Sequence, residues 1–377
     1  MCGMLVGATS AVAAPPGLDD LRDAVADVTY PAPVQLGFTG GGSSATAVSE
    51  TGIVAGYSTH VLSPTWHRRT PFRWQDGRVE ELNREGRPVA VSDAGRVLVA
   101  PLSSGDYDLW EPDGTVLTLP FSSAGTGGWM NRHGVVVGTL FQRAYIVRDG
   151  EVQRLDPSRR ETKVAPSHGI NDAGQVVGSS WTGAQWQAFV WQDGGMRYLD
   201  TPDGAQSQAL GVNAGGQVLV THDALGPVVW EPDGTVRQLD PARAGFEPLL
   251  IDDRGAVTGT LPVESDRSLR FPAVADAHGV RRMPGLGGSV GYVRDVSPNG
   301  LVVGIAPRTR WGRYMPVVWV AELPVPLGLT PVGGTPALTG EPRDVSSGGR
   351  IVGELVHELP NGSRRTSAAV WDLVPQP

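Results

Sequence analysis

The amino-acid sequence predicts an all-β protein that folds as a single β-propeller, a ring of four-stranded sheets. Three observations favour this fold. A four-residue turn motif recurs eight times along the 377 residues, and a short strand that usually ends in Trp follows each turn. Gly (51 residues) and Pro (31 residues), which favour turns, are unusually frequent. Four short strands in each repeat of about 42 residues are typical of a propeller blade.

The repeated motif is a turn that begins with Ser, Asn or Asp and ends with Gly. Successive motif glycines are 43, 39, 40, 42, 39, 45 and 49 residues apart, a spacing too regular to arise by chance. A side-chain oxygen at the first position and Gly at the fourth suit a tight β-turn, so each motif predicts a hairpin between strands a and b of one unit. The motifs lie at 49–52, 92–95, 131–134, 171–174, 213–216, 252–255, 297–300 and 346–349.

Each hairpin is followed by a second pair of strands. Strand c is short and apolar, and in six units it ends in Trp; the other two units carry weaker versions at 145–147 and 273–274. A second tight turn then leads to a strand d, so that one unit supplies four antiparallel strands. We interpret the strand c Trp side chains as blade packing. They are Trp74, Trp110, Trp191, Trp230, Trp319 and Trp371.

The two ends of the repeat array complement each other. The last unit runs out after Trp371 without a strand d, and an unassigned strand at 34–37 precedes the first hairpin. Pairing these segments would close the ring and leave no exposed sheet edge within it. We therefore predict one propeller of eight blades over residues 28–373, closed by the N-terminal strand, with a tail at 374–377. Seven blades with one degenerate unit is the alternative.

The first residues are similar to an export signal. Residues 4–14 are apolar and small, and 11–13 has the Ala-x-Ala form of a signal-peptidase site, but no Lys or Arg precedes Arg22. We predict a truncated signal-peptide-like segment at 1–13 and a short linker or helix at 14–27, in a secreted protein. The alternative is a cytoplasmic protein with an Ala-rich start. The single cysteine, Cys2, excludes an intrachain disulfide.

Composition and spacing argue against several partners and cofactors. Lys and Arg (31) against Asp and Glu (39) give a net charge of −8 without charged blocks, which argues against nucleic acid or an anionic membrane as partner. No other apolar run approaches the ~18 residues that indicate a membrane span. The seven histidines lack the spacing of a metal site. We therefore expect no metal, no cofactor and a monomer.

One unit is similar to a known repeat. The segment 169–178 (Gly-Ile-Asn-Asp-Ala-Gly-Gln-Val-Val-Gly) and the segment 187–199, which begins Gln-Ala-Phe-Val-Trp, resemble the HAF repeat of bacterial, often exported proteins. That family is named for a His-Ala-Phe triplet, which residues 187–189 match in part. The resemblance implies a propeller-like extracellular or cell-surface protein. It supplies no catalytic residues, because the repeat motif is structural and the family has no shared activity.

Because the four strands of a blade are antiparallel, successive connections alternate between the two rims of the ring. The a–b and c–d turns share one rim and are short and uniform, so we expect that rim to be inert. The b–c loops and the connections between blades share the other rim, and variable loops on a rigid scaffold are where binding sites are usually built. Aromatic residues in its b–c loops are the first ligand-binding candidates. They are Trp66, Trp181, Trp186, Trp311 and Tyr314.

A second set of candidates lies three residues upstream of each hairpin turn, just before strand a. If strand a is innermost, these residues line the mouth of a central channel, where Arg294 and Arg343 would bind an anionic or carbonyl-bearing ligand. The alternative is that these two arginines and the aspartates that follow them form an ion-pair network between blades. The eight residues are Thr46, Val89, Gly128, His168, Leu210, Leu249, Arg294 and Arg343.

Two functions remain open. The first is an exported scaffold, without evident catalysis, that binds a small molecule, glycan or protein through the loop-rich rim and the mouth of the channel. The second is a cofactor-independent lyase, isomerase or cyclase, for example in natural-product biosynthesis, with an acid or base in the central funnel. Its catalytic candidates rest on position alone. They are His168, Glu247, Tyr292 and Glu341.

Overall fold

A computed structural model confirms the predicted fold class. The residues that it describes form one helix, α1 (Leu18–Ala26), and eight antiparallel four-stranded sheets, so the protein is an eight-bladed propeller and the seven-bladed alternative is wrong. Residue Trp311 and the segments 1–13 and 374–377 lie outside this description. The described residues are 17–26, 31–36, 41–63, 65–103, 105–122, 128–156, 158–159, 161–199, 204–240, 245–264, 266–288, 290–309, 312–332 and 334–373.

The first four blades follow one another along the chain. Blade 1 is β2 (Gly42–Val48), β3 (Val54–Ser63), β4 (Trp66–Gln75) and β5 (Arg78–Glu81). Blade 2 is β6 (Arg87–Val91), β7 (Val97–Ala100), β8 (Asp106–Trp110) and β9 (Val116–Ser122). Blade 3 is β10 (Trp129–Met130), β11 (Val136–Leu140), β12 (Arg143–Arg148) and β13 (Glu151–Arg154). Blade 4 is β14 (Thr162–Val164), β15 (Val176–Trp181), β16 (Trp186–Gln192) and β17 (Gly195–Tyr198).

The remaining four blades repeat this order, and the last of them borrows a strand. Blade 5 is β18 (Ser207–Val212), β19 (Val218–His222), β20 (Gly226–Trp230) and β21 (Val236–Gln238). Blade 6 is β22 (Glu247–Ile251), β23 (Val257–Val263), β24 (Asp266–Asp276) and β25 (Gly279–Arg282). Blade 7 is β26 (Tyr292–Val296), β27 (Val302–Pro307), β28 (Tyr314–Val320) and β29 (Leu323–Pro326). Blade 8 is β30 (Thr339–Val345), β31 (Arg350–Glu358), β32 (Arg364–Asp372) and β1 (Val34–Gln35).

The ring closes as the sequence predicts, by pairing of the N-terminal strand with the last blade. Val34 of β1 lies opposite Val370 of β32, in antiparallel register. The backbone N–H of Leu36 then donates to the carbonyl of Ala368 at 2.9 Å. The Leu36 side chain is only 3% exposed and packs with apolar residues of blades 1 and 8. The outermost strand of blade 8 therefore comes from the opposite end of the chain.

The hairpin turns join neighbouring blades as well as neighbouring strands. Asn171 caps its own turn, because its Oδ1 accepts the backbone N–H of Gln175 at 3.0 Å. Its Nδ2 also donates to the carbonyl of Asn213 in the next blade at 2.9 Å. The same inter-blade bond recurs from Asn131 to Asn171 and from Asn213 to Asp252. The first turn residue thus links each of these blades to the next, a role that the turn motif alone does not reveal.

Aromatic residues and glycines of the repeat account for the packing between blades. The strand c residues Trp110, Trp319 and Trp371 are among the largest fully buried side chains. Within blade 4 a glycine at the third residue of strand b accompanies this packing: a Cβ on Gly178 would collide with the carbonyl oxygen of Lys163 in strand a and would meet the ring of Phe189 in strand c at 2.8 Å. Gly at this position therefore admits both the inner strand and the buried ring.

Candidate functional site

The observed topology defines two rims. The first strand of each blade is innermost, because first strands of neighbouring blades contact one another around the centre, as β2 does with β6 and β30. We call the rim of the a–b and c–d turns the turn rim. The other rim, which carries the b–c loops and the connections between blades, is called the loop rim. The described strands place the loop-rim aromatic candidates at strand ends in blades 1, 4 and 7.

In six blades the residue three positions upstream of the turn lies within strand a, and not just before it as the sequence suggested, whereas Gly128 precedes β10 and His168 follows β14. In these six blades a β-bulge falls at that residue. A bulge inserts one unpaired residue and re-aims its side chain, which has no clear signature in sequence. The bulged residues are Thr46, Val89, Leu210, Leu249, Arg294 and Arg343.

The two bulged arginines are engaged in ion pairs. Arg294 Nη2 lies 2.8 Å from Glu341 Oε1 across the boundary between blades 7 and 8. Arg343 lies 3.2 Å from the same oxygen and 3.1 Å from Glu354 Oε1. Two guanidinium groups and two carboxylates leave this cluster without net charge. The inter-blade network considered from the sequence is therefore present, but its acids are glutamates and not the aspartates that follow the arginines.

Those aspartates, Asp295 and Asp344, bind the backbone of the next blade. Asp295 Oδ2 accepts the N–H of Val345 at 3.2 Å, and Asp344 Oδ2 accepts the N–H of Val48 at 2.8 Å. Asp344 Oδ1 also accepts from Val345 at 2.7 Å, so both carboxyl groups meet at one N–H. Burial raises the pKa of both groups, and the charge of Asp295 raises the pKa of Asp344 further. The pair therefore favours a shared proton.

Glu50 extends this acidic group at the turn rim. Its Oε1 and Oε2 accept the backbone N–H of Ser347 at 3.1 and 3.0 Å. Burial raises the pKa of Glu50 to about 7, and the charges of Asp344 and Asp93 add to the shift, while the bonds from Ser347 oppose it. Sequence reasoning did not single out Glu50, because its burial depends on how blades 8 and 1 meet.

His168 belongs to the opposite side of the ring, in the segment between β14 and β15. It has a φ of 39°, and its carbonyl accepts the N–H of Val212 in blade 5 at 3.1 Å. Burial lowers the pKa of its imidazole, and the charges of Asp344 and Asp253 oppose the shift. The ring stands edge-on to Trp129, with centroids 6.0 Å apart. This environment favours a neutral imidazole.

The four catalytic candidates are distributed over four blades. Each lies in a different blade: His168 in blade 4, Glu247 in blade 6, Tyr292 in blade 7 and Glu341 in blade 8. Glu247 is paired with Arg270, and Glu341 is held by the two arginines described above. Both glutamates are therefore engaged by arginine side chains.

Aromatic pairs stand at the loop-rim ends of two blades. Trp181 ends β15 and Trp186 begins β16, and their rings meet edge to face with centroids 5.7 Å apart. The ammonium of Lys163, the only lysine, lies 4.4 Å from the Trp186 ring centroid. In blade 7 the rings of Tyr292 and Tyr314 are also 5.7 Å apart. Burial and a hydrogen bond with Tyr292 raise the pKa of Tyr314.

Blade 1 carries a polar cleft of about 430 Å³ at the loop rim. The sequence drew attention to the loop between β3 and β4, but not to the residues of the β5 end that complete the cleft. Trp66 stands beside it as an exposed side chain, with 60% of its surface accessible. The cleft is lined by His60, Leu62, Arg68, Thr70, Glu81, Leu82 and Asn83.

A second cleft, of about 280 Å³, lies on the turn rim between blades 6 and 7. Arg281 spans it, with Nη2 2.8 Å from Asp276 Oδ2 and Nε 2.9 Å from Glu322 Oε2. The hydrogen bond from Arg281 lowers the pKa of Asp276 to about 2. The bond to Asp276 lies within blade 6, and the bond to Glu322 joins blade 6 to blade 7.

The described residues offer neither a metal-binding cluster nor a membrane-spanning helix. Within the described ranges, no three His, Cys, Asp or Glu side chains are grouped so that they could hold a metal ion. Helix α1 is too short and too polar to cross a bilayer, and the described part of the chain contains no other helix that could do so.

Comparison with known proteins finds only solved structures of low similarity. No family model and no curated protein matches the chain. The β-propeller domain of the trilobed protease from Pyrococcus furiosus is 12% identical with a TM-score of 0.49, over 75% of this chain and 94% of that one. A catalytically inactive virginiamycin B lyase from Staphylococcus aureus, solved with quinupristin, is 11% identical with a TM-score of 0.45, over 90% and 98%. YCF48 bound to a D1 peptide is 14% identical with a TM-score of 0.40, over 73% and 96%. Such low similarity says nothing of activity or ligand.

Proposed function

We propose that the chain is an exported binding scaffold that recognises a small molecule, glycan or protein through its loop rim. A β-propeller is consistent with a binding scaffold, since its sheets form a rigid support for variable loops. The observation that carries the proposal is the placement of accessible aromatic side chains. Blades 1, 4 and 7 present Trp66, the Trp181–Trp186 pair and the Tyr292–Tyr314 pair at loop-rim strand ends.

Accessible aromatic groups at one rim favour recognition because they supply much of the energy of many interfaces. Trp and Tyr combine large apolar area with a polar atom and are enriched among residues that dominate binding energy. Trp66 is 60% exposed and Tyr292 is 41% exposed, which leaves apolar surface for a partner to cover. The exposed large aromatic residues among the described ones, Trp66, Phe141 and Tyr292, all lie at the loop rim, whereas the exposed large hydrophobic residues beside the c–d turns, such as Val79 and Leu323, are aliphatic. The asymmetry between the rims supports a ligand on the loop rim.

An enzyme is the second candidate, and one observation favours it. A carboxyl group with a pKa near 7, such as Glu50, suits general acid–base catalysis. Both oxygens of Glu50 nevertheless accept hydrogen bonds from Ser347 in the neighbouring blade. We therefore favour a structural role for this group and place binding before a lyase, isomerase or cyclase activity.

The binding proposal is tested with matched variants of the two rims. The full chain is first screened on arrays of glycans, peptides and small metabolites. A loop-rim variant (Trp66→Ala, Trp186→Ala and Tyr292→Ala) is then compared with a turn-rim variant (Asp76→Asn, Asp113→Asn and Asp233→Asn). We expect the loop-rim variant to lose about tenfold or more in affinity for the array ligand, and the turn-rim variant to keep it. Loss only in the turn-rim variant would refute the proposal.

Export is the second part of the proposal. The Ala-x-Ala sequence at 11–13 and the similarity to exported HAF-repeat proteins support it. The test expresses the full-length gene product in its own bacterium and sequences the N-terminus of the protein from the medium and cell surface. Processing after Ala13, blocked by Ala13→Arg, is the expected result. Retention of an unprocessed chain in the cytoplasm would contradict export without affecting the binding test.

A further inference from the structure

The hairpin of β3 and β4 extends beyond its inner neighbour at the loop rim. Gly42, the first residue of β2, pairs with Thr59, so the β3 residues from His60 onward have no partner in β2. They continue to pair with β4, where His60 lies opposite Arg68. The polar cleft of about 430 Å³ lies on this extension, and its volume falls in the range of small-molecule sites.

Polar groups at the base of the cleft are held in fixed positions. The buried hydroxyl of Ser58 donates to Glu81 Oε1 at 2.6 Å and lies 3.0 Å from His60 Nε2. His60 therefore donates to Ser58, which orients both the imidazole and the carboxylate. The side chains of His60 and Glu81 remain 37% and 38% exposed. Both groups are thus positioned by the protein and still accessible to a ligand.

The side of the cleft supplies further donors and acceptors. Arg68 Nη2 donates to Asn83 Oδ1 at 2.9 Å, which fixes the planes of both side chains. This bond uses one of the five N–H groups of Arg68 and leaves the Asn83 amide N–H₂ to act as a donor. Arg68 and Glu81 carry opposite charges, so the cleft has no strong preference for an anion or a cation.

Trp66 stands on the same face of β4 as the cleft. Side chains two residues apart in a strand point to the same face, so Trp66, Arg68 and Thr70 line up along one side. Trp66 is 60% exposed and Leu62, at the tip of the facing strand, is 51% exposed. The exposed apolar surface of Trp66 and Leu62 therefore borders the polar side chains of the cleft.

We propose that this cleft binds a neutral saccharide. Five of its seven lining residues are polar, whereas most small-molecule pockets are lined chiefly by apolar side chains. Sugar hydroxyls both donate and accept hydrogen bonds, which matches a lining that offers donors (Arg68, Asn83) together with an acceptor (Glu81). The apolar C–H face of a sugar ring packs against the face of an exposed aromatic ring, and Trp66 provides such a ring.

The site is built for binding and not for hydrolysis of the sugar. Glycosidases use a pair of carboxyl groups on either side of the scissile bond. Glu81 is the only carboxylate among the described residues that line the cleft. The saccharide site therefore agrees with, and rests on, the proposed role as a binding scaffold.

The test uses the full chain and soluble tetrasaccharides of glucose, mannose, xylose and N-acetylglucosamine, followed by tryptophan fluorescence and ligand-observed NMR. We expect at least one to bind, and Trp66→Ala to weaken it by about tenfold or more. Asn83→Ala and Glu81→Gln should each weaken it as well. Leu323→Ala, which removes an exposed apolar side chain on the turn rim of blade 7, is the control and should leave the affinity within about twofold. Because Trp66 is largely exposed, its substitution should not affect folding, which a thermal melt verifies.

The outcomes separate this inference from the general proposal. If no tetrasaccharide binds while an array ligand of another class still depends on the loop rim, the saccharide site is refuted and the scaffold function stands. If a tetrasaccharide binds with equal affinity to Trp66→Ala and loses affinity in Trp186→Ala, the cleft of blade 1 is not the site. Displacement of the bound sugar by a short peptide at similar concentration would contradict the ligand class.

Discussion

Asp344, in the innermost strand of blade 8, accepts a hydrogen bond at 2.8 Å from the backbone N–H of Val48, in the innermost strand of blade 1. The same two blades are joined at the outer edge by the pairing of Val34 with Val370. The ring is therefore closed at its inner and outer edges. Because Asp295 repeats the inner contact with Val345, the two Arg-Asp-Val-Ser strings are explained as a device that joins blades 7, 8 and 1.

Glu50 is expected to make the protein less stable as the pH rises. Its pKa is about 7 in the folded protein, against 4.5 for an ordinary glutamate. In the window between these values the unfolded chain releases a proton that the folded chain retains, so the free energy of unfolding falls with increasing pH. Glu50→Gln should remove this loss, with a gain at about pH 8 relative to about pH 4 on the order of 1–3 kcal/mol. Urea unfolding at both pH values measures it.

The matched control for Glu50 is Asp76→Asn, which removes an exposed carboxyl from the c–d turn of the same blade. Asp76 has a φ of 48°, a conformation that Asn tolerates well. This variant should keep the pH dependence of the parent protein. Equal slopes for Glu50→Gln and the parent would show that Glu50 does not hold its proton in the folded state.

Leu36 is expected to contribute much of the stability of ring closure. Its side chain is 3% exposed and packs between blades 1 and 8, whereas Val34, in the same short strand, is 47% exposed. Leu36→Ala should reduce the free energy of unfolding by about 2–4 kcal/mol, because it leaves a cavity in the core. Val34→Ala should change it by less than about 0.5 kcal/mol. Similar effects of both substitutions in denaturant unfolding would contradict this account.

Two substitutions of Asn171 distinguish the stability contribution of the turn cap from that of the hydrogen bond to the next blade. Asn171→Ser keeps an oxygen that caps the turn, as Ser49 does when its Oγ accepts the N–H of Ile53 at 3.0 Å. It removes the bonds from Nδ2 to the carbonyl of Asn213 in the next blade and to Gln175 Oε1. We expect Asn171→Ser to cost about 0.5–1.5 kcal/mol, and Asn171→Ala to cost about 1 kcal/mol more, because the turn cap is lost as well. Thermal unfolding measures both, and equal losses would show that the bonds from Nδ2, and not the turn cap, account for the effect.

Ring architecture could be predicted because its signals are local or lie at the chain ends. The hairpin turns, the strand c Trp residues and the missing fourth strand after Trp371 are visible in the linear sequence. The segment that replaces the missing strand, at Val34–Gln35, was predicted for the same reason. Each of these signals depends on turn chemistry or strand alternation and not on contacts between distant residues.

The site residues could be predicted only in part, because their environment depends on register and on neighbouring blades. Arg294 and Arg343 were found, but the bulges that hold them and their pairing with Glu341 follow from hydrogen-bond register. In blade 1, Glu81 reaches the cleft from a strand separated by a turn from the loop that drew attention. A sequence pattern alone does not show that Glu81 lies next to the β3–β4 loop.

The indole N–H groups of the strand c tryptophans are expected to differ in their contribution to stability. Trp371 Nε1 donates to the carbonyl of Gly328 at 2.9 Å, whereas the buried Nε1 of Trp191 has no hydrogen-bond partner among the described residues. Substitution by Phe reduces side-chain volume at both sites, but only Trp371→Phe breaks a bond and leaves a carbonyl unpaired. We expect Trp371→Phe to cost about 1–2 kcal/mol more than Trp191→Phe in denaturant unfolding. Trp319, whose Nε1 donates to Pro284 at 2.7 Å, should behave like Trp371. A larger loss for Trp191→Phe would show that packing, and not the indole hydrogen bond, governs these positions.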